Sequence, residues 1–265
     1  MTDFQLAAEE GAFPAEGVVE VKYDGMMVRS DRGRLLARPQ RENPVGEDVT
    51  DRFSFCVPPE IEVVGEVVCF TKDGGLSGDF DAILHYKTDN PAKLALARQL
   101  YPPTLLVFDV TAWDCVSLTR LPLRDRLTYV ARAVELCADP HVVQPLRWTL
   151  RPGLVDSLMA RVRERHGEGL IVKDLDAPYA PGKRSAAWVK VKAWEVADLP
   201  YLRHGITAKG GFVVVVRSGE REQEVVVNDL ALQQRIARGV RTVQVRYLRE
   251  RHGALRQGHV TGGVG

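Results

Sequence analysis

The segment GVVEVKYDGMMVRS, residues 17–30, constrains the fold more than any other stretch of the chain. It is rich in valine, breaks at Asp24-Gly25 and resumes with a second apolar run at Met26. This pattern predicts two strands joined by a tight turn. It also sets Lys22 inside a valine-rich strand, where an ammonium is costly unless it is paired or neutral. Two readings fit. Lys22 is either a strand-edge lysine whose amine reaches water, or a nucleophilic amine freed of its proton by desolvation and neighbouring cations.

Further strand-like runs are EIEVVGEVVCF, TLLVFDVTAW, HVVQPL, EGLIVKD and AAWVKVKAW. Helical periodicity appears in PAKLALARQL, LRDRLTYVARAVELC and GLVDSLMARVRERH. After Ala197 the texture changes to short strands (GGFVVVVRSG, REQEVVVND, VRTVQVRYLRE) around one helical patch, DLALQQRIARG. That spacing suits a small barrel such as an OB-fold. The expected organisation is α+β: a domain of antiparallel sheets with flanking helices over residues 1–196, then a small β-barrel over 197–265. The Gly-rich end HVTGGVG reads as frayed.

A chain of 265 residues has room for a large domain with a small partner, and 45% hydrophobic residues suffice for a proper core. No run approaches the roughly 18–20 apolar residues that span a bilayer. The N-terminal stretch has neither the basic start nor the apolar run of a signal peptide, so the expected location is the cytoplasm. Cys56, Cys69, Cys115 and Cys137 form no CxxC pair, and three sit in apolar surroundings, which predicts buried free thiols. The net charge of +1 excludes a strongly basic protein but not a local basic groove.

Chemistry gathers on the predicted strands. Glu66 lies in VVGEVV, Phe108 and Asp109 in LLVFDV, Glu168 in GEGLIVKD, and Lys190 and Lys192 in WVKVK, where alternation puts both lysines on one face. Carboxylates and lysines on several strands of one sheet suit a cleft that holds a triphosphate and a metal. Taken singly, each has a plainer reading: Phe108 as core, Arg38 and Arg41 as solvated loop charges, Asp109 as support for a turn or strand. Packing explains Trp188 and Trp194 better than base stacking does.

In order and wording, KYDG, GEVV, FDV, EGLIVKD and WVKVK resemble motifs I, III, IIIa, IV and V of the covalent nucleotidyltransferases. PYAPGKRSAAWVKVK is most similar to the ATP-dependent DNA ligases. The resemblance covers roughly Val18 to Ala197, and it implies an adenylation domain followed by an OB domain. It implies that Lys22 attacks the α-phosphate of ATP to give lysyl-AMP. It further implies that Glu20 faces the adenine amino group, Arg38 touches the nucleotide or the incoming 5′-phosphate, and Glu66 holds the ribose. Phe108 and Ile171 would cover the two adenine faces. Glu66 and Glu168 would supply the metal site, while Arg184, Lys190 and Lys192 would meet phosphates. ATP, Mg²⁺ and nicked duplex DNA are thus the implied cofactors and partner, with a monomer expected.

Two departures stand out. Where many such ligases have an arginine two positions after the motif I glycine, this chain has Met27, with Arg29 on the same strand face. The end of the chain, RYLRERHGALRQGHVTGGVG, has no motif VI with its Asp-Lys pair, and no DNA-encircling domain is expected before motif I. An RNA ligase, and a nick-binding module without self-adenylylation, remain open beside the DNA ligase.

Overall fold

The alternation in residues 17–30 becomes two strands, Gly17–Lys22 and Met26–Asp31, in a computed structural model that describes residues 4–9, 11–39, 46–70, 76–251 and 254–264. The two strands do not pair with each other; they belong to different sheets. The first sheet runs Leu6–Ala8, Arg184–Lys192, Gly169–Asp174, Gly17–Lys22, Arg147–Thr149. The second runs Arg34–Ala37, Met26–Asp31, Ile61–Cys69, Pro103–Trp113, Val116–Ser117. The turn at Asp24-Gly25 is therefore the step from one sheet to the other.

Neither sheet is purely antiparallel, contrary to the expectation. Leu6–Ala8 lies parallel to Arg184–Lys192, and Val142–Val143 lies parallel to Pro103–Trp113. The second pairing follows from the helix Leu123–Cys137, a crossover long enough to return the chain in the same direction. That helix buries Val130, Ala133 and Cys137 against Val63, Val67, Leu105 and Val107 of the second sheet. Helix Pro91–Leu100 packs into the same core; Asn90 caps it by accepting from the amides of Ala92 and Lys93, and Pro91 takes the first position, where no donor is needed. Phe80–Leu84 forms a short helix, capped by the Asp79 carboxylate, which accepts from the amides of Asp81 and Ala82. Cys69 and Cys137 are buried, but Cys56 and Cys115 are exposed, so two thiols rather than three are interior.

The chain forms two compact units, Met1–Val191 and Lys192–Gly265. The expected division after residue 196 falls inside the first strand of the second unit, Glu195–Ile206. There Val196 points outward while Ala197 packs on the interior of that unit. The second unit is a closed five-stranded barrel in the order Glu195–Ile206, Phe212–Ser218, Arg221–Val226, His259–Val264, Thr242–Tyr247 and back to the first. Val214, Val216, Val225, Val243, Val245 and Val260 fill it. Helix Leu230–Ala237 lies between the third and fourth strands in sequence and buries Ile236. HVTGGVG is not frayed. It is the closing strand, and Leu232 and Ile236 of the helix pack over it at Gly263.

Candidate active site

Lys22 ends its strand opposite Gly169, and its Nζ donates to Glu168 Oε2 at 2.5 Å. The Lys22 side chain is 23% exposed and that of Glu168 8%, so the pair is largely desolvated. The turn that follows is tight against the second sheet. A Cβ on Gly25 would lie 2.2 Å from the carbonyl oxygen of Val67, which only glycine avoids. Glu66, one residue before Val67, is thereby brought to the lysine. Burial pushes the Glu66 carboxyl up to about 7; Glu168 adds to this, while Lys22 and Arg38 pull the other way. Lys22, Glu66, Glu168 and Arg38, more than a hundred residues apart at their extremes, thus share one electrostatic neighbourhood.

Glu20 lies two residues before Lys22, on the same strand face. It is buried, and both its oxygens are engaged: Oε1 by Arg147 and Oε2 by Lys173, each at 2.6 Å. Burial alone would raise its carboxyl, but the two cations outweigh that and hold it below the usual carboxylate range. Burial lowers the Lys173 ammonium despite the attraction of Glu20. Neither Lys173 nor Arg147 was singled out from sequence. Lys173 is the penultimate residue of the quoted motif EGLIVKD, on the face of Ile171, and that parity, next to a buried glutamate, was the available signal.

Lys173 Nζ sits 4.4 Å from the ring centres of both Phe108 and Trp188. Phe108 and Trp188 meet edge to face at 5.9 Å. Around them Phe108, Ile171 and Met27, all partly buried, pack with Phe4, Val64 and Tyr179 where the two sheets face each other. The structure therefore assembles Phe108, Ile171, Glu20, Lys22, Glu66 and Glu168 beside one another. Met27 is part of this apolar wall. Arg29 stays on the same strand face and pairs with Glu62 at 3.6 Å.

The remaining cations are placed differently. Lys190 pairs with Glu9, and Arg184, exposed, donates to the Ala7 carbonyl at 2.5 Å and lies 3.8 Å from the same Glu9. Both reach one carboxylate because the register jumps between Ala7, opposite Ser185, and Ala8, opposite Val189. Lys192 belongs to the second unit and donates to Gln257 Oε1 at 2.9 Å. Arg38 is exposed, with its amide bonded to the Met27 carbonyl; Arg41 lies outside the described residues. The Asp109 carboxylate accepts from Arg126 of the helix Leu123–Cys137 at 2.8 and 3.0 Å and from the Val110 amide of its own strand at 2.9 Å, and the Asp109 and Arg126 side chains are fully buried.

The residues fit a hard divalent cation in donor type. Glu66 and Glu168 offer carboxylate oxygens near Lys22, and a magnesium ion is commonly held by one or two carboxylates together with substrate phosphates. Among the described residues no group of three or more His, Cys, Asp or Glu forms a closed protein cage for a metal. No helix among the described residues is long and apolar enough to cross a membrane.

Comparison with known proteins gives the family. A probable DNA ligase of Kineococcus radiotolerans is 30% identical over 228 residues, covering 82% of this chain and 42% of that protein. A DNA ligase of Thermococcus fumicolans is 29% identical, over 67% of this chain and 30% of its own. The chain thus spans less than half the length of these curated relatives. A solved structure from work on DNA binding with a minimal scaffold in Lig E DNA ligases superposes with a TM-score of 0.74 at 18% identity, over 98% of this chain and 99% of that one. Mycobacterial DNA ligase D complexed with ATP and MES superposes at 0.53, with 20% identity, over 99% and 94%. Both likenesses establish the nucleotidyltransferase fold. The family model of the ATP-dependent DNA ligase domain matches residues 8–192, and the chain belongs to that family.

Proposed function

We propose that the protein is an ATP-dependent DNA ligase that seals 3′-hydroxyl, 5′-phosphate nicks through lysyl-AMP on Lys22. One observation carries the reading: the Lys22 amine donates to Glu168 and shares an electrostatic neighbourhood with Glu66, on a strand whose Glu20 is the register partner of Ile171 in the apolar cluster with Phe108. In the first step the Lys22 nitrogen attacks the α-phosphorus of ATP, the N–P bond forms, and pyrophosphate leaves with the electrons of the broken P–O bond. The lysine proton has Glu168 Oε2 as its nearest acceptor. AMP then passes to the 5′-phosphate of the nick, and the 3′-hydroxyl finally displaces it.

Phosphoryl transfer of this kind needs positioning and cations around developing charge more than covalent work by the protein. Phe108 and Ile171 are assigned to the two faces of adenine. The part inferred for Glu20 at the adenine edge is shared with Lys173, since the Glu20 carboxylate is bound by Lys173 and Arg147. Glu66 is assigned to the ribose, Arg38 to the nucleotide or the 5′-phosphate, and Arg184, Lys190 and Lys192 to phosphates. For Lys190 and Arg184 this means leaving Glu9. Glu66 and Glu168 would hold Mg²⁺, which when bound offsets phosphate charge. We read the barrel as an OB-fold, because its third and fifth strands pair in parallel and a helix precedes the fourth. The working form is inferred to be a cytoplasmic monomer.

Incubation with α-labelled ATP and Mg²⁺ tests the reading, with Lys22→Ala alongside. Label that survives denaturation in the wild type and is lost in the variant supports it. If no label appears, pre-adenylylated nicked DNA separates the cases: sealing leaves a ligase without its first step, and no sealing removes the assignment.

A further inference from the structure

Arg147 lies outside every quoted motif, yet it stands directly opposite Glu20 on the neighbouring strand. Its strand, Arg147–Thr149, is an edge of the first sheet. Cross-strand partners share a face, so the guanidinium turns to the same side as the Glu20 carboxylate. Nε donates to Oε1 at 2.6 Å, Nη2 stands 2.6 Å from the same oxygen, and Nη1 reaches Gln144 Oε1 at 3.5 Å. On the other side of Glu20 its register partner is Ile171, and Lys173 Nζ lies 2.6 Å from Oε2. Lys173 in turn lies against the Phe108 and Trp188 rings. The row Arg147, Glu20, Lys173 therefore runs from the sheet edge to the aromatic wall.

The two cations on Glu20 are not equivalent. Burial works toward a neutral Glu20–Lys173 pair, since it pushes the glutamate up and the lysine down. One proton passed from Lys173 to Glu20 would neutralise both without moving a heavy atom. A guanidinium does not give up its proton in a protein. Arg147 touches Glu20 and faces Lys173 only across it, so its attraction for the carboxylate exceeds its repulsion of the ammonium. Arg147 is thus the fixed charge that favours carboxylate over carboxylic acid at Glu20. The distinction matters to a base, because a carboxylate only accepts hydrogen bonds while the acid also donates. The 6-amino group of adenine is a donor and needs the first.

We propose that Arg147 is a positioning residue for the choice of nucleotide, holding Glu20 as a carboxylate turned toward the 6-amino group of adenine. This inference rests on the ligase reading and deepens it: Glu20 touches the base, and Arg147 acts through Glu20. A carboxylate has about four acceptor sites on its two oxygens, so Glu20 accepts from the base while both cations stay bound.

The test measures formation of the lysyl-nucleotide with ATP and with purine riboside triphosphate, which lacks the 6-amino group. Wild type, Arg147→Met, Arg147→Gln and Arg147→Lys are compared. A hydrogen bond to a charged group is worth roughly tenfold or more. The preference for ATP, as the ratio of the two kcat/KM values, is expected to fall about tenfold in Arg147→Met and Arg147→Gln, mainly through KM for ATP. Arg147→Lys keeps the charge and should retain most of the preference. Loss of packing alone would slow both triphosphates alike and leave the ratio in place. Arg147→Gln keeps a donor for Oε1, so it tests the charge even if Arg147→Met folds poorly. A ratio in Arg147→Gln within twofold of wild type, or a wild type that does not prefer ATP, overturns the positioning role and leaves the ligase reading intact. A wild type that forms no lysyl-nucleotide with either triphosphate removes the first step of that reading, and this inference with it.

Discussion

Lys22 Nζ and Glu168 Oε2 stand 2.5 Å apart although 146 residues separate them, because Gly169 is the register partner of Lys22. The pair is largely withdrawn from water, so the cost of desolvating two charges offsets much of their attraction and its net contribution to stability is small. Replacing Glu168 with Gln keeps the shape but removes the charge that accepts the lysine proton and would bind Mg²⁺. Lysyl-AMP formation is expected to fall about 10²-fold, with a melting temperature close to that of wild type. A rate within threefold of wild type would show that Glu168 has no part in the step.

The geometry also makes Gly25 a sensitive position. In Gly25→Ala the added Cβ would fall 2.2 Å from the Val67 carbonyl oxygen, which belongs to a central strand and cannot yield. The turn must move instead, and Lys22 moves with it. A displacement near 1 Å at a reacting group costs about 10²-fold in rate. Gly25→Ala should therefore fold, keep its far-ultraviolet circular dichroism, and form lysyl-AMP far more slowly. A normal rate would show that the turn does not set the position of the amine.

Glu66 gives a pH signature whose sign is fixed. Burial and Glu168 raise its carboxyl from 4.5 to about 7 in the folded protein. Between those values the folded protein keeps a proton that the unfolded chain has released. Stability from this group is full below pH 4.5 and is lost as pH rises through 7. Urea midpoints of wild type should decline from pH 5 to pH 8, and Glu66→Gln, which has no proton to lose, should flatten that decline. Glu20 is depressed, so its effect lies at acid pH and does not overlap this window. Identical pH slopes for the two proteins would refute the shift.

How much of this was legible depends on where each partner comes from. Lys22, Glu66 and Glu168 stood out because each interrupts an apolar strand with charge. The helices Pro91–Leu100 and Leu123–Cys137 showed in their apolar spacing. What could not be read were pairings between distant strands. Glu20 is satisfied by Arg147 and Lys173 from the two strands on either side of it, and no local pattern predicts that. Asp109 read as support for a turn or strand because its partner, Arg126, comes from a separate helix and no spacing in the sequence pairs the two. The glycines of HVTGGVG resemble a loose end until the barrel shows a helix packed against one of them. Trp188 and Trp194 share one sequence environment and separate only in three dimensions.

The buried pair of Asp109 and Arg126 gives a prediction on stability alone. Both side chains are 0% exposed, so removing one leaves an uncompensated charge in the core. Asp109→Leu is expected to cost about 3–5 kcal/mol, read as a lower urea midpoint. Adding Arg126→Met should recover much of that loss, because two apolar groups of similar volume need no partner. A double variant no more stable than Asp109→Leu would mean that Arg126 contributes mainly through its bonds to the carbonyls of Leu121 and Ala177.

Phe108 separates binding from packing. Its ring is partly buried beside Ile171 and Lys173, in the place assigned to adenine. Stacking of a base on an aromatic ring is worth about 1–3 kcal/mol, or roughly 5- to 150-fold in affinity. Phe108→Leu keeps most of the apolar volume and loses the π-face, so KM for ATP should rise within that range while the melting temperature moves little. Phe108→Ala loses volume as well and should also destabilise the fold. Phe108→Tyr retains the ring and should restore KM. Because Lys173 lies against the same ring, loss of aromaticity also frees its ammonium to move, and discrimination between ATP and GTP should narrow together with the rise in KM. A KM unchanged in Phe108→Leu, with full lysyl-AMP formation, would assign Phe108 to the core and require the adenine to sit elsewhere.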